Sequence, residues 1–206
     1  VEGRHAPVTI SITAMGDLPA GMGLTRAGAR PGDDIWLSGT AGDAYAALQC
    51  RWGRWEVMPD LEPALFARMD RPTPRVALGQ AILGAASAAA DVSDGLLADL
   101  GHILDRSGVS GEIEWERIPV STALRSLTVA RQHEAALTGG DDYELVFTAP
   151  AAAAERIYEA GLRTGTPVTR IGRVTARTTS ALTVRAAGGV PVVMPTVGFD
   201  HFQKED

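Results

Sequence analysis

Apolar residues recur at helical spacing between Leu96 and Leu104, directly after a short acidic stretch. One helical stripe carries Leu96, Leu97, Leu100, Ile103 and Leu104, whereas Asp99, His102, Asp105 and Arg106 fall mainly on the other side. Ser93 is a favourable N-cap residue and Gly108 is a typical helix stop. The pattern therefore predicts an amphipathic helix that begins after Ser93 and ends before Gly108.

The rest of the chain alternates between segments of strand-like and helix-like periodicity. The predicted strands cover 8–15, 35–38, 111–115 (edge-like), 143–148, 168–174 and 182–185, with 190–194 as a partner for the last. The predicted helices cover a short stretch ending at 48, then 61–69, 76–90, 118–130 and 151–160. Residues 51–60 have no clear period and are interpreted as a connector.

Alternating helices and strands without a tandem repeat predict an α/β or α+β fold. Most strands lie toward the C-terminal end and several connections resemble hairpins, so we expect a mixed, mainly antiparallel sheet. Pro72 and Pro74 prevent a helix from continuing through them. We therefore place the domain boundary there, with residues 1–70 on one side and residues 71–206 on the other.

Composition and charge narrow the function classes. The chain has 206 residues, 45% of them hydrophobic, and carries a net charge of −6 with no basic cluster, so nucleic acid is not an expected partner. No apolar run approaches the roughly 20 residues of a membrane span, and no secretory leader is visible. Cys50, the single cysteine, excludes an internal disulfide and fits a reducing compartment, so we expect a cytoplasmic protein without a membrane partner.

Asp91, Ser93 and Asp94 are the first candidates for chemistry. They surround a predicted helix N-terminus, where unpaired N–H groups and the helix dipole favour negative charge. Carboxylates held there suit a hard cation such as Mg²⁺, and the neighbouring amides suit phosphate. The alternative is that Ser93 and Asp94 only cap the helix.

Three further stretches have both a functional and a structural interpretation. The acidic segment 139–144 (Gly-Gly-Asp-Asp-Tyr-Glu) could bind a cationic substrate or a metal, or form a solvated turn. Arg26, in a glycine-containing loop, could reach a phosphate with two donors, or be solvated. The rings of the segment 198–202 (Gly-Phe-Asp-His-Phe) could stack on an aromatic substrate, or close the chain onto its core. No P-loop and no nucleophile elbow occurs.

Taken together, these motifs resemble the thiamine-phosphate kinase family, in the superfamily of aminoimidazole ribonucleotide synthetase. The resemblance extends from about residue 8 to residue 202, in the order and spacing of the family. The segments that carry it are 24–33 (LTRAGARPGD), 39–43 (GTAGD), 71–75 (RPTPR), 91–96 (DVSDGL), 139–145 (GGDDYEL), 171–172 (IG) and 198–202 (GFDHF).

The resemblance implies direct, ATP- and Mg²⁺-dependent phosphoryl transfer onto the phosphate of thiamine phosphate, giving thiamine diphosphate and ADP. It also implies a C-terminal domain with helices on one face of the sheet, a remnant of an N-terminal ATP-binding domain within residues 1–70, and a homodimer for the full-length protein.

By motif, the resemblance assigns a role to each candidate residue. Asp91 and Asp94 would hold Mg²⁺, Ser93 would contact ATP, and Arg26 would contact the nucleotide phosphates. Asp141, where the family often has Glu, would bind the thiamine moiety. Phe199, where the family often has Tyr or Trp, would pack on the rings of the substrate.

The start of the chain differs from the family, because Val1–Arg4 stands where a Gly-Gly-Asp/Asn-Thr motif ends. We therefore expect a C-terminal fragment with little or no turnover by itself. Two alternatives stay open: another ATP-using synthetase of the superfamily, and a domain that binds ligand without turnover.

Overall fold

A six-stranded sheet organises the computed structural model, which describes residues 9–18 and 20–192. The strands are β1 (Asp33–Ser38), β2 (Ala88–Asp91), β3 (Ser110–Glu114), β4 (Leu145–Pro150), β5 (Val168–Thr175) and β6 (Leu182–Arg185). They lie in the order β2-β4-β1-β5-β3-β6, and all neighbours are antiparallel except β3 and β6. The predicted mixed, mainly antiparallel sheet is confirmed.

Seven α-helices surround this sheet in the part of the chain that the structure describes. They are α1 (Asp43–Arg51), α2 (Glu62–Asp70), α3 (Val76–Ala81), α4 (Leu96–Ser107), α5 (Thr122–Arg125), α6 (Val129–His133) and α7 (Ala154–Thr164). None of them combines the length and the apolar composition that crossing a membrane requires.

The amphipathic stripe of α4 forms the centre of the larger core. Leu100 and Leu104 are fully buried in the same cluster as Ile35 and Leu37 of β1, to which α1, α2 and α5 also contribute. Gly108 ends the helix in the left-handed conformation with φ 67°, as predicted. Asp99 differs from the prediction, because it lies in the interior rather than on the polar side of the helix.

A second core covers the opposite face of the sheet, so the helices lie on both faces and not on one. Trp36 and Phe147 stack with their ring centroids 6.3 Å apart, beneath Leu78 of α3 and Ile157 of α7. Trp36 alternates along β1 with residues of the first core, which makes this strand apolar on both sides. Both faces of β1 are therefore packed against other parts of the chain.

The region predicted as one helix over 76–90 is divided between a helix and a strand. The helix α3 ends at Ala81, Gly84 adopts φ 70°, and β2 then pairs Ala88 with Thr148 and Ala90 with Val146. The helix propensity of alanine is overridden because these small side chains fill a strand position that is buried beside β4.

Several smaller predictions also change. Residues 9–15, predicted as part of a strand, are irregular and exposed, and Val8 lies outside the described residues. The predicted helix 118–130 becomes α5 and α6, because Ser121 and Thr128 each cap a new start. Strand β3 is interior, between β5 and β6, rather than at an edge.

The segment after β6 folds back beside it. Pro191 forms an isolated bridge with Arg185, and the Val192 N–H donates to the Val184 carbonyl at 2.9 Å. This agrees with the predicted pairing as far as Val192, and residues 193–194 lie outside the described residues.

The predicted boundary between residues 70 and 71 runs through the sheet. Strand β1, from the N-terminal side, lies between β4 and β5 and pairs with both. Leu65 of α2 also belongs to the same core as α4. Residues 33–70 therefore pack as part of the unit that we expected to begin at residue 71.

Candidate functional site

Asp91 ends β2, and the turn from there to α4 carries Ser93 and Asp94, with its backbone held by Asp99. The Ser93 and Asp94 N–H groups donate to Oδ2 of Asp99 at 2.9 and 3.0 Å. Asp99 is fully buried, and burial raises the pKa of its carboxyl while these two N–H donors act in the opposite direction.

This arrangement corrects two predictions about the turn. The N-cap of α4 is Gly95, with φ 117°, and no side chain caps the helix there, so Ser93 is not the cap. The Ser93 and Asp94 amides, which we expected to be open to phosphate, already donate to Asp99. The side chains of Asp91, Ser93 and Asp94 keep some access to solvent.

The acidic segment 139–144 is joined to this turn by backbone hydrogen bonds. The Asp141 N–H donates to the Ser93 carbonyl at 2.9 Å, and the Tyr143 N–H donates to the Val92 carbonyl at 2.8 Å. Gly140 lies so close that a Cβ atom there would overlap the Ser93 carbonyl oxygen. The two loops therefore form one interlocked unit.

Asp141 and Tyr143 both have positive φ, 67° and 52°, which is uncommon for residues other than glycine. The Tyr143 hydroxyl donates to Oδ1 of Asp141 at 3.0 Å. This hydrogen bond, burial, and the charges of Asp141, Asp91 and Asp94 all raise the pKa of Tyr143. Asp141 therefore contacts the Tyr143 hydroxyl, and Asp91 and Asp94 act on it through their charge.

The three carboxylates of the acidic segment have different environments. Asp142 is buried and accepts from the Gly42 and Ala44 N–H groups, at 2.6 and 3.3 Å, at the start of α1. Burial raises its pKa to about 7, against the effect of these two hydrogen bonds. Glu144 is also buried and is paired with arginine, whereas Asp141 is exposed. Of the three, only Asp141 is open to a ligand.

Sequence reasoning gave no role to the two arginines that neutralise Glu144. Arg75 donates from Nε to Oε2 at 2.7 Å and from Nη2 to Oε1 at 2.6 Å, and Arg68 donates to Oε1 at 2.8 Å. The sequence offered two signals. The carboxylates of segment 139–144 are close enough to repel one another and so require a cation nearby, and an arginine is the last residue of segment 71–75 (RPTPR).

Arg26 and Phe199 are not brought to this unit by the described structure. The Arg26 carbonyl accepts from the Ser107 hydroxyl at 3.3 Å, at the end of α4 opposite to Asp94. The neighbouring Thr25 carbonyl accepts from the Ala89 N–H of β2 at 3.0 Å, so the loop of Arg26 also lies beside the strand that ends at Asp91. Phe199, with the whole segment 198–202, lies outside the described residues.

The donor set at the interlocked loops fits part of a magnesium site. Mg²⁺ is commonly bound through one or two carboxylates, with phosphate and water oxygens completing the shell. Asp91 and Asp94 supply such oxygens, and their charge already acts on Tyr143. Within residues 9–18 and 20–192, no group of three His, Cys, Asp or Glu side chains forms a complete site.

Two cavities lie away from these residues. The larger, of about 740 Å³, is an apolar groove between α4 and β6. The smaller, of about 290 Å³, is lined by charged residues that include Asp34, Arg170 and Arg173. Neither is lined by a predicted site residue.

Comparison with known proteins places this geometry in context. Residues 30–185 match the family described as AIR synthase related protein, C-terminal domain. The thiamine-monophosphate kinase of Salmonella typhimurium is 39% identical over 200 residues, which are 96% of this chain and 61% of that protein. The chain therefore spans less than two thirds of the length of this curated relative.

Solved structures agree with this likeness. Thiamine-monophosphate kinase from Stenotrophomonas maltophilia K279a superposes with a TM-score of 0.76 at 41% identity, covering 85% of this chain and 56% of that one. The structure of AaThiL complexed with AMPPCP and TMP gives a TM-score of 0.69 at 35% identity, covering 87% and 54%. Because the family match covers most of its length, this chain belongs to the AIR synthase related family, as a C-terminal domain.

Proposed function

We propose that this chain forms part of the site of a thiamine-phosphate kinase, which transfers a phosphoryl group from ATP to thiamine phosphate with Mg²⁺. The observation that carries this proposal is the interlocking of two loops, which holds the turn bearing Asp91 and Asp94 against the segment in which Asp141 accepts from the Tyr143 hydroxyl. The likeness to thiamine-monophosphate kinases supports it, as does the binding of AMPPCP and TMP by one relative.

In the proposed site, the chain supplies negative charge in two places. Asp91 and Asp94 hold Mg²⁺, which neutralises phosphate charge during in-line transfer. Asp141, exposed on the neighbouring loop, receives the cationic thiamine moiety through charge attraction. Its carboxylate is oriented by the hydrogen bond from Tyr143.

The remaining roles are also proposals. Ser93 contacts ATP through its side chain, because its N–H already donates to Asp99. Arg26, in the loop that lies beside β2, binds nucleotide phosphates, and Phe199 packs on the rings of the substrate. We further propose a homodimer for the complete protein, a cytoplasmic location and no membrane partner. The absence of a nucleic-acid partner, which we also propose, is in keeping with the net charge of −6.

Binding of ligand without turnover is a second candidate for this chain, because the carboxylates of the described residues supply only part of a metal site. A binding experiment therefore suits it better than an assay of turnover. We propose calorimetric titration of thiamine phosphate into the chain, with and without Mg²⁺ and a non-hydrolysable ATP analogue.

Three variants sharpen this titration. We expect Asp141→Asn to weaken binding of thiamine phosphate, and Asp94→Asn to abolish the strengthening by Mg²⁺ and nucleotide. Asp105→Asn, on the exposed side of α4, should behave as the wild type. Tight binding that is unaffected by Asp141→Asn and Asp94→Asn would contradict the proposed site.

A further inference from the structure

The buried carboxylate of Glu144 accepts four hydrogen bonds from three side chains. Arg75 donates to both oxygens, at 2.6 and 2.7 Å, and Arg68 adds a third hydrogen bond at 2.8 Å. The Ser38 hydroxyl donates to Oε2 and accepts from the Leu145 N–H at 2.8 Å. Glu144 is thereby fixed to the ends of β1 and β4.

The backbone of Glu144 extends this connection to the acidic turn. Its carbonyl accepts from the Val92 N–H at 2.8 Å, between Asp91 and Ser93. Arg75 therefore reaches both loops of the interlocked unit through a single buried residue. Its guanidinium is mostly buried, and the hydrogen bond to Glu144 raises the pKa of Arg75, so it stays charged.

Along the acidic segment, residues whose side chains are buried and hydrogen-bonded alternate with residues whose side chains face solvent. Asp142 and Glu144 point inward and are fixed at the start of α1 and by the arginines, whereas Asp141 and Tyr143 point outward. The two outward residues are those with positive φ. Such conformations persist where the surrounding structure over-determines them, and here the anchors are the neighbouring inward residues.

We propose that Arg75 is a positioning residue, which acts through Glu144 to hold Asp141 and Tyr143 in the orientation that receives the cationic part of the substrate. This inference rests on the proposed function. Arg75 does not touch the substrate, because its donors are directed to the buried carboxylate. Removing it leaves the buried charge of Glu144 with Arg68 as its remaining cation and a hydrogen bond from Ser38, so the loop relaxes.

The experiment combines a local structural readout with ligand affinity. Exchange of the Asp141 and Tyr143 amide protons is followed by NMR in wild type, Arg75→Gln and Arg75→Lys. Affinities for thiamine phosphate and for the Mg²⁺-nucleotide analogue are measured on the same samples. Arg51→Gln is the matched control, since Arg51 forms an exposed ion pair with Asp70 at 2.9 Å.

We expect Arg75→Gln to accelerate exchange at Asp141 and Tyr143 and to weaken thiamine phosphate binding about tenfold or more. Nucleotide affinity should change less than about threefold, because the Ser93 and Asp94 N–H groups keep their own anchor on Asp99, which does not depend on Arg75. Arg75→Lys keeps the charge but loses the bidentate hydrogen bonding, so its exchange rates and its affinity for thiamine phosphate should lie between those of the wild type and Arg75→Gln. Arg51→Gln should match the wild type.

The possible negative results separate a failure of the inference about Arg75 from a failure of the proposed function. Unchanged exchange and affinity in Arg75→Gln would overturn the inference, and so would an equal loss of both ligands with faster exchange throughout the chain. If the wild type itself binds no thiamine phosphate, the proposed function fails. The exchange data would then still decide whether Arg75 holds the loop.

Discussion

At the scale of single residues, burial gives the Asp142 carboxyl an unusual acid–base behaviour. The pKa of Asp142 is raised to about 7 in the fold, from the 3.8 that applies to an exposed aspartate. The folded chain therefore binds this proton more tightly than the unfolded chain. The stability due to the bound proton is complete below about pH 4 and is lost as the pH rises to about 7.

We predict that Asp142→Asn removes this pH dependence. Relative to the variant, the wild type should lose on the order of 4 kcal/mol of unfolding free energy between pH 4 and pH 7. Urea unfolding of both proteins across this range measures the difference, in which titrations common to both cancel. A difference that stays constant with pH would show that Asp142 titrates normally.

Asp99 provides a second test at this scale, because it satisfies two backbone donors of the acidic turn. We predict that Asp99→Ala costs about 2 kcal/mol or more, since the Ser93 and Asp94 N–H groups lose their acceptor. Asp99→Asn keeps one oxygen and should cost less. Asp105→Ala is the control, because it removes an exposed pair with Arg177 that is worth about 0–1 kcal/mol. Equal losses in denaturant unfolding for Asp99→Ala and Asp105→Ala would refute the role of Asp99.

At the scale of elements, the site depends on two loops that approach more closely than a side chain would allow. We predict that Gly140→Ala destabilises the chain by about 1–3 kcal/mol and weakens ligand binding, because its Cβ would meet the Ser93 carbonyl. Gly101→Ala on α4 is the matched control, since its Cβ meets nothing within 4 Å. It should stabilise the helix by up to about 1 kcal/mol. Thermal unfolding and titration of both variants would test the difference, and a neutral Gly140→Ala would contradict it.

At the scale of the whole molecule, the sheet joins residues on both sides of the predicted boundary. We predict that residues 71–206 alone do not fold, because β4 and β5 would each lose the strand that lies between them. A chain beginning at residue 30 keeps β1 and should fold cooperatively. Circular dichroism and the dispersion of NMR signals distinguish the two, and a cooperatively folded 71–206 chain would refute the prediction.

The local sequence pattern was sufficient to predict a helix or strand wherever the residues that define it lie within that element. The α4 stripe and its Gly108 stop, most of the strands, and the mixed, mainly antiparallel sheet were predicted from the sequence. The order of the motifs also indicated the family. The acidic turn and the acidic segment were recognised as candidates, because unusual charge next to glycine is visible without any knowledge of tertiary contacts.

The tertiary structure decided what burial and distant partners determine. Sequence alone could not separate Asp141 from Asp142 and Glu144, because their environments depend on Gly42, Arg68 and Arg75, which lie from 69 to 100 residues away. It also could not place Ala88–Ala90 in a strand, since alanine favours a helix until a neighbouring strand is present. Periodicity records which side of an element is apolar, whereas the partner on that side is set by the packing of the whole chain.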